Sequence, residues 1–300
     1  MGNKTGNYYL GRVIKLGILD DSKIFEALAN PVTIVQRGNA WTIINASKYL
    51  DGSSQFAYGR LCKFLPETEV AVIDLMKKEK VLQLEHNVIL ASSPFVYIPE
   101  HSGIAFLQVS NQIEPSIFMS RFCSIVTESH QEFFVQCQID PIVDIRTFAM
   151  KLSKLDGIYS ISATVHPPNP LFGPLWRHLK DYLAERQAET LKLQEDSSHG
   201  KPLKTNLPAY VASVADDQTK AIAPFSEPLP IGDAAILMAA DGYGSGLVKG
   251  RIGSDFVVIR TSETIRNFSF EKDPTPEDLY EAALKIFEKI KRERHMEHDV

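Results

Sequence analysis

Ile158–Trp176 reads I-Y-S-I-S-A-T-V-H-P-P-N-P-L-F-G-P-L-W. It opens as a strand: Ile158, Ser160, Ser162 and Thr164 alternate with Tyr159, Ile161, Ala163 and Val165, and β-branched residues are frequent. Pro167, Pro168 and Pro170 then end it, because none can donate a ladder hydrogen bond and each fixes φ. Past Gly173 and Pro174, the recurrence of Leu175, Leu179, Tyr182 and Leu183 predicts a helix over Leu175–Leu193. The stretch is a strand, a rigid corner and a helix. The corner prolines are expected to pack on Trp176 and on the helix carrying Phe148.

Around this stretch the second half of the chain takes shape. Glu132–Gln138 reads as a strand and Ile142–Leu152 as a helix with Ile145, Phe148, Ala149 and Leu152 on one face. Gln194–Asn206 is a polar loop, and Ala209–Ala223 reads as a strand with a turn at Asp216-Asp217. Ala234–Ala240, Gly246–Ile252 and Asp255–Arg260 read as a meander with glycine turns, and Ile265–Phe270 adds a strand. Pro276–Arg294 closes as a helix with Thr275 as its N-cap.

The first half is richer in strands. Tyr8–Leu16 is followed by a short helix, Asp20–Leu28, with acids in its first turn. Val32–Arg37 and Trp41–Ile44 form a hairpin around Gly38-Asn39. Phe56–Leu65, Val70–Leu75, Val81–His86, Asn87–Pro99 and Ile104–Val109 continue as strands, and Ile113–Val126 is a helix. The class is α/β of the α+β kind. Two domains are expected: a β-rich N-terminal half, 1–128, suited to dimerisation, and 129–300, a β-α-β-α unit with a β-meander and closing helix, suited to nucleic-acid contact.

Composition bounds the function. The chain has 300 residues, 44% apolar and 23% charged, which is globular. No apolar run reaches the length of a bilayer span, and the N-terminus has no positive stretch ahead of an apolar one, so membrane insertion and secretion are not expected. The three cysteines, Cys62, Cys123 and Cys137, contain no Cys-x-x-Cys pair and read as thiols of a reducing cytoplasm. A net charge of −5 gives no global basic field, so nucleic acid would be met by a local patch.

Catalytic signatures fail one by one. Gly242–Gly246 resembles a phosphate loop, but it leads into Leu247-Val248-Lys249, which is strand-like rather than a helix N-terminus. His166 stands without a second ligand at workable spacing and reads as structural. Arg292 and His298 fit a loose ribonuclease spacing, but in a strand-rich chain. There is no Glu-x-Lys of the restriction-nuclease kind and no Gly-x-Ser-x-Gly elbow. No catalytic residue, metal or cofactor is assigned.

The basic residues carry the remaining signal. Lys249, Arg251, Arg260 and Arg266 fall on the meander, Lys201 and Lys204 in the polar loop, and Arg177 and Lys180 on the helix after the corner. Together they suggest a surface that tracks phosphates. Asp181, Glu185, Asp255 and Glu263 are interspersed, so on residues alone a solvated face is the simpler reading.

Three stretches carry a resemblance: F-V-Y-I-P-E-H-S-G-I-A-F (95–106), F-A-M-K-L-S-K-L-D-G-I-Y (148–159), and the meander and helix from Ile236 to Ile290. In order of elements the chain resembles the lambda RexA-like family of phage-exclusion DNA-binding proteins, together with bacterial relatives carrying the Val-His-Pro-Pro-Asn-Pro corner. The resemblance implies a cytoplasmic, homodimeric protein of antiviral defence that binds DNA through its backbone without catalysis, alongside another protein of its operon. Two alternatives stand beside it: a metal-dependent nuclease with an unrecognised site, and a protein-interaction module.

Overall fold

The computed structural model describes residues 5–52, 54–130, 134–166, 183, 185–198, 200–215 and 229–293. Its first strand, β1 (Thr5–Gly17), organises the larger of two sheets. After it come α1 (Asp21–Ala29), β2 (Ile34–Gln36), β3 (Asn39–Asp51), β4 (Ser54–Asp74), β5 (Glu79–Ile98), β6 (Gly103–Leu107), α2 (Pro115–Ser129) and β7 (Val135–Pro141). The chain continues through α3 (Ile145–Leu152), β8 (Gly157–Val165), β9 (Leu191–Asp196), α4 (Leu207–Ala215) and α5 (Ile231–Ala240). It ends with β10 (Gly244–Ile252), β11 (Asp255–Arg260), β12 (Asn267–Glu271) and α6 (Pro276–Glu293).

The larger sheet runs β12-β1-β6-β5-β4-β3-β2, with β7 also paired to β1. β1 is long enough for β12 to take Thr5–Tyr9 and for β7 to take Gly11–Gly17. Between these two pairings Leu10 donates to the Arg266 carbonyl at 3.1 Å and accepts from Ile142 N–H at 3.0 Å. Strand alternation splits the core into two layers. Phe95 and Tyr97 face α1 and α2 with Phe106, Phe118 and Phe122. Val96 and Ile98 face α6 with Tyr8, Leu10, Leu279, Ala283 and Phe287.

The sheets do not divide at residue 128. β7, β12 and α6 all come from beyond it, yet they complete the first sheet and cover one of its faces. The physical reason is long-range pairing: a meander leaving β11 can pair wherever a strand edge is open, and the open edge is that of β1.

The smaller sheet, β11-β10-β8-β9, is antiparallel throughout. Its inner face packs Ile161, Ala163, Val165, Val248 and Ile259 against α3, α4 and α5. Here the expectations need correction. Ala234–Ala240 is not a strand of a meander but part of α5, buried over nearly its whole length. An unbroken apolar run has no period to decide between a core strand and a core helix, and its alanines favour the helix. Ala209–Ala223 is not a strand where described, since α4 buries Leu207, Val211 and Val214 at helical spacing. The helix expected to reach Leu193 gives way to β9 at Leu191, whose alternate residues pair along β8. Leu183 and Glu185 are helical. The proline corner from Pro167 to Trp176, and Asp216-Asp217, lie outside the described residues.

Other expectations stand. The Gly253 turn joins β10 to β11 with φ 60°, and the Thr275 hydroxyl accepts from Asp278 N–H at 3.2 Å at the start of α6. The α+β class is as the sequence implied.

Candidate nucleic-acid interface

α5 covers one face of the β11-β10-β8-β9 sheet, and the other face carries side chains that reach solvent. Period-two alternation puts Lys249 and Arg251 of β10 on that outer face, while Val248 and Gly250 point inward and are buried. The register adds their neighbours: Lys249 lies opposite Val258 of β11 and Ser160 of β8, and Arg251 opposite Phe256 and Gly157. Ser160 in turn lies opposite Asp196 of β9.

On the edge strand of this face, next to the β10–β11 turn, stands Phe256, an aromatic ring with 60% of its surface exposed. The Lys249 ammonium lies 5.4 Å from its centroid and the Arg251 guanidinium carbon 5.6 Å. Cations at this range gain from the negative face of the ring and are held where they stand. A shift of register between Lys249 and Gly250 marks a bulge, and Tyr159 meets Phe256 edge-on with centroids 5.7 Å apart. Two aromatics and two cations thus share one patch of an open antiparallel sheet.

The loop cations lie beside it. Leu203 N–H donates to the Ile158 carbonyl at 2.7 Å, so the segment bearing Lys201 and Lys204 runs along the start of β8. Both lysines are exposed. Pro202 packs so close to Gly157 that a Cβ there would sit 2.9 Å from it.

Arg260 is on the same outer face but engaged, at 3.3 Å from Glu263, which also binds Lys151 at 3.2 Å. Burial works upward on the Glu263 carboxyl, yet the hydrogen bonds from Lys151 and Arg260 outweigh it and hold the group below its usual range. Asp196 is likewise held low, first by the Ser160 hydroxyl, then by Gln194 and Lys249, and its charge offsets part of the patch.

Arg266 does not belong to the group. Its N–H donates to the Ile142 carbonyl at 2.7 Å and its carbonyl serves β1, because the chain has already left the meander for the larger sheet. Arg177 and Lys180 lie outside the described residues. The sequence reading missed Phe256 and Tyr159. The signal for Phe256 was present, since Val257 and Ile259 alternate with it and point inward.

His166 is buried, as a structural histidine would be, with Nδ1 3.1 Å from the Thr190 hydroxyl and 3.3 Å from the Glu189 carbonyl. Among the described residues no cluster of three or more His, Cys, Asp or Glu side chains is placed to hold a metal ion. No helix among them is long and apolar enough to cross a membrane.

Fold and patch together define an α+β protein presenting an open antiparallel sheet whose edge strand carries an exposed aromatic beside two cations. Residues 22–221 match the family described as Domain of unknown function (DUF4747), and the chain belongs to that family. No curated protein matches the chain.

Proposed function

We propose that the chain binds DNA without strong sequence preference, on the outer face of the β11-β10-β8-β9 sheet, as a cytoplasmic homodimer of antiviral defence. The observation that supports this is the exposed Phe256 ring beside Lys249 and Arg251, both on the neighbouring strand β10. The ring offers a π-face on which any base can stack, and the two cations meet the flanking phosphates. Such a platform suits a single strand, because in a duplex the base faces are already stacked on one another. Lys201 and Lys204 extend the positive track beyond the sheet. A phage-exclusion role, with a second protein of the same operon, is the setting in which a sequence-tolerant binder is useful.

Titrating fluorescent single-stranded and duplex DNA across a salt series tests this. Phe256→Ala is expected to lower single-strand affinity by about 1–3 kcal/mol, the usual worth of one base–aromatic stack, and to leave the salt slope unchanged. Lys249→Glu with Arg251→Glu is expected to weaken binding to every sequence and to make the slope shallower, since each phosphate contact contributes about −0.7 on a single strand and about −0.9 on a duplex. If the wild-type chain shifts no DNA at low salt, the reading fails and an interaction module replaces it. Cleavage of plasmid in magnesium or manganese would instead favour the nuclease.

A further inference from the structure

Beyond Phe64, the last residue of β4 that β3 reaches at this end, β4 and β5 pair only with each other, from Leu65–Val88 out to Asp74–Glu79. The result is a two-stranded arm that, at about 3.3 Å per residue, stands roughly 30 Å clear of the sheet. Two strands alone are marginal in water, and a third strand or a packed helix usually supports them. One face of this arm is exposed along its whole length. From base to tip its opposed pairs are Glu67 with His86, Glu69 with Leu84, Ala71 with Leu82, and Ile73 with Lys80. Ile73 is 73% exposed, Leu82 58% and Leu84 52%.

We infer that this face is the docking surface for a second copy of the chain, two arms packing face to face in opposite directions. This names the interface of the homodimer part of the proposed function and is independent of its nucleic-acid part. Two such faces in opposite directions are complementary in charge. The face is acidic at its base, basic at its tip and apolar between. A two-fold axis through the Ala71–Leu82 pair lays the Ile73–Lys80 pair of one copy over the Glu69–Leu84 pair of the other. There Ile73 stands over Glu69 and Lys80 over Leu84, so the long Lys80 side chain reaches Glu69 across the diagonal, and symmetry repeats the contact. The opposite face would not self-associate in this way, because Glu85 near the base and Glu79 at the tip are both acidic. An anionic partner such as DNA or a charged membrane would meet Glu67 and Glu69 with repulsion, so a second copy fits better than either.

Sedimentation equilibrium of the full chain reads the outcome. The wild type is expected at twice the 33.6 kDa chain mass, and Leu82→Glu at the chain mass with an unchanged far-UV spectrum. Glu69→Lys or Lys80→Glu alone should weaken association about tenfold, since each loses two symmetry-related ion pairs at once and places like charges together. Combining the two reversals should restore wild-type affinity. A monomeric wild type overturns both the arm and the homodimer. A dimer indifferent to all three single substitutions overturns the arm and leaves the homodimer, and singles that weaken without rescue in the combination overturn the two-fold register.

Discussion

Arg12, on β1 of the larger sheet, is fully buried. Its Nη1 donates to the His101 carbonyl, its Nε to the Asp241 carbonyl at 3.4 Å, and its guanidinium lies 5.5 Å from the Tyr243 ring and 5.4 Å from that of Phe287. A second cation has no place there. His101 stacks on Phe287 with centroids 5.6 Å apart, and burial first, then Arg12 and Lys291, push its pKa from 6.5 down to about 4. Between those two values the unfolded chain binds a proton that the folded chain refuses. Stability is therefore complete above pH 6.5 and falls as the pH drops towards 4, by on the order of 3 kcal/mol for a shift of this size. His101→Phe keeps the ring stack and removes the titration. Urea midpoints at pH 7 and pH 4.5 should diverge in the wild type and much less in the variant. Equal losses in both would put the acid sensitivity elsewhere.

At the scale of the element, the contact between β6 and α6 depends on one missing side chain. A Cβ on Gly103 would lie 2.5 Å from the Phe287 ring, so the helix seats its phenyl directly on strand backbone. Gly103→Ala is expected to cost about 1–3 kcal/mol by overpacking, and Phe287→Ala about 3–5 kcal/mol by leaving a cavity. Gly103→Ala combined with Phe287→Leu should cost less than the sum, because the smaller side chain makes room for the methyl. Strict additivity in thermal melts would show that the two do not share this space. Elements of this kind were legible where turn chemistry marks them: the positive φ at Gly38 and Gly253, and the Thr275 cap of α6. They were illegible where hydrophobicity loses its period. In α5 every turn is buried, so Ala234–Ala240 gives no amphipathic signal, whereas Val211 and Val214 of α4 did keep helical spacing and could have been read.

At the scale of the whole molecule, local pattern could place Lys249 and Arg251 on one face but could not tell that Arg266 leaves it. The first depends on the two-residue strand period, the second on β12 finding β1 more than two hundred residues away in sequence. That same return decides how the chain folds. Tyr8, Leu10, Phe56, Tyr58, Val96, Ile98, Ala105 and Leu107 form one face of the larger sheet, and the apolar side of α6 covers it. A fragment ending at residue 128 would keep β1 to β6 and lose β7, β12 and this cover. Exposing even four of these side chains, at about 1.5–3 kcal/mol each, rivals the whole stability of an ordinary domain, about 5–15 kcal/mol. The fragment 1–128 is therefore expected to show no cooperative melt and no native near-UV spectrum, and the full chain to unfold its larger sheet only together with α6. A fragment that melted cooperatively with native aromatic signals would mean that α1 and α2, packed on the opposite face, suffice to hold six strands against water.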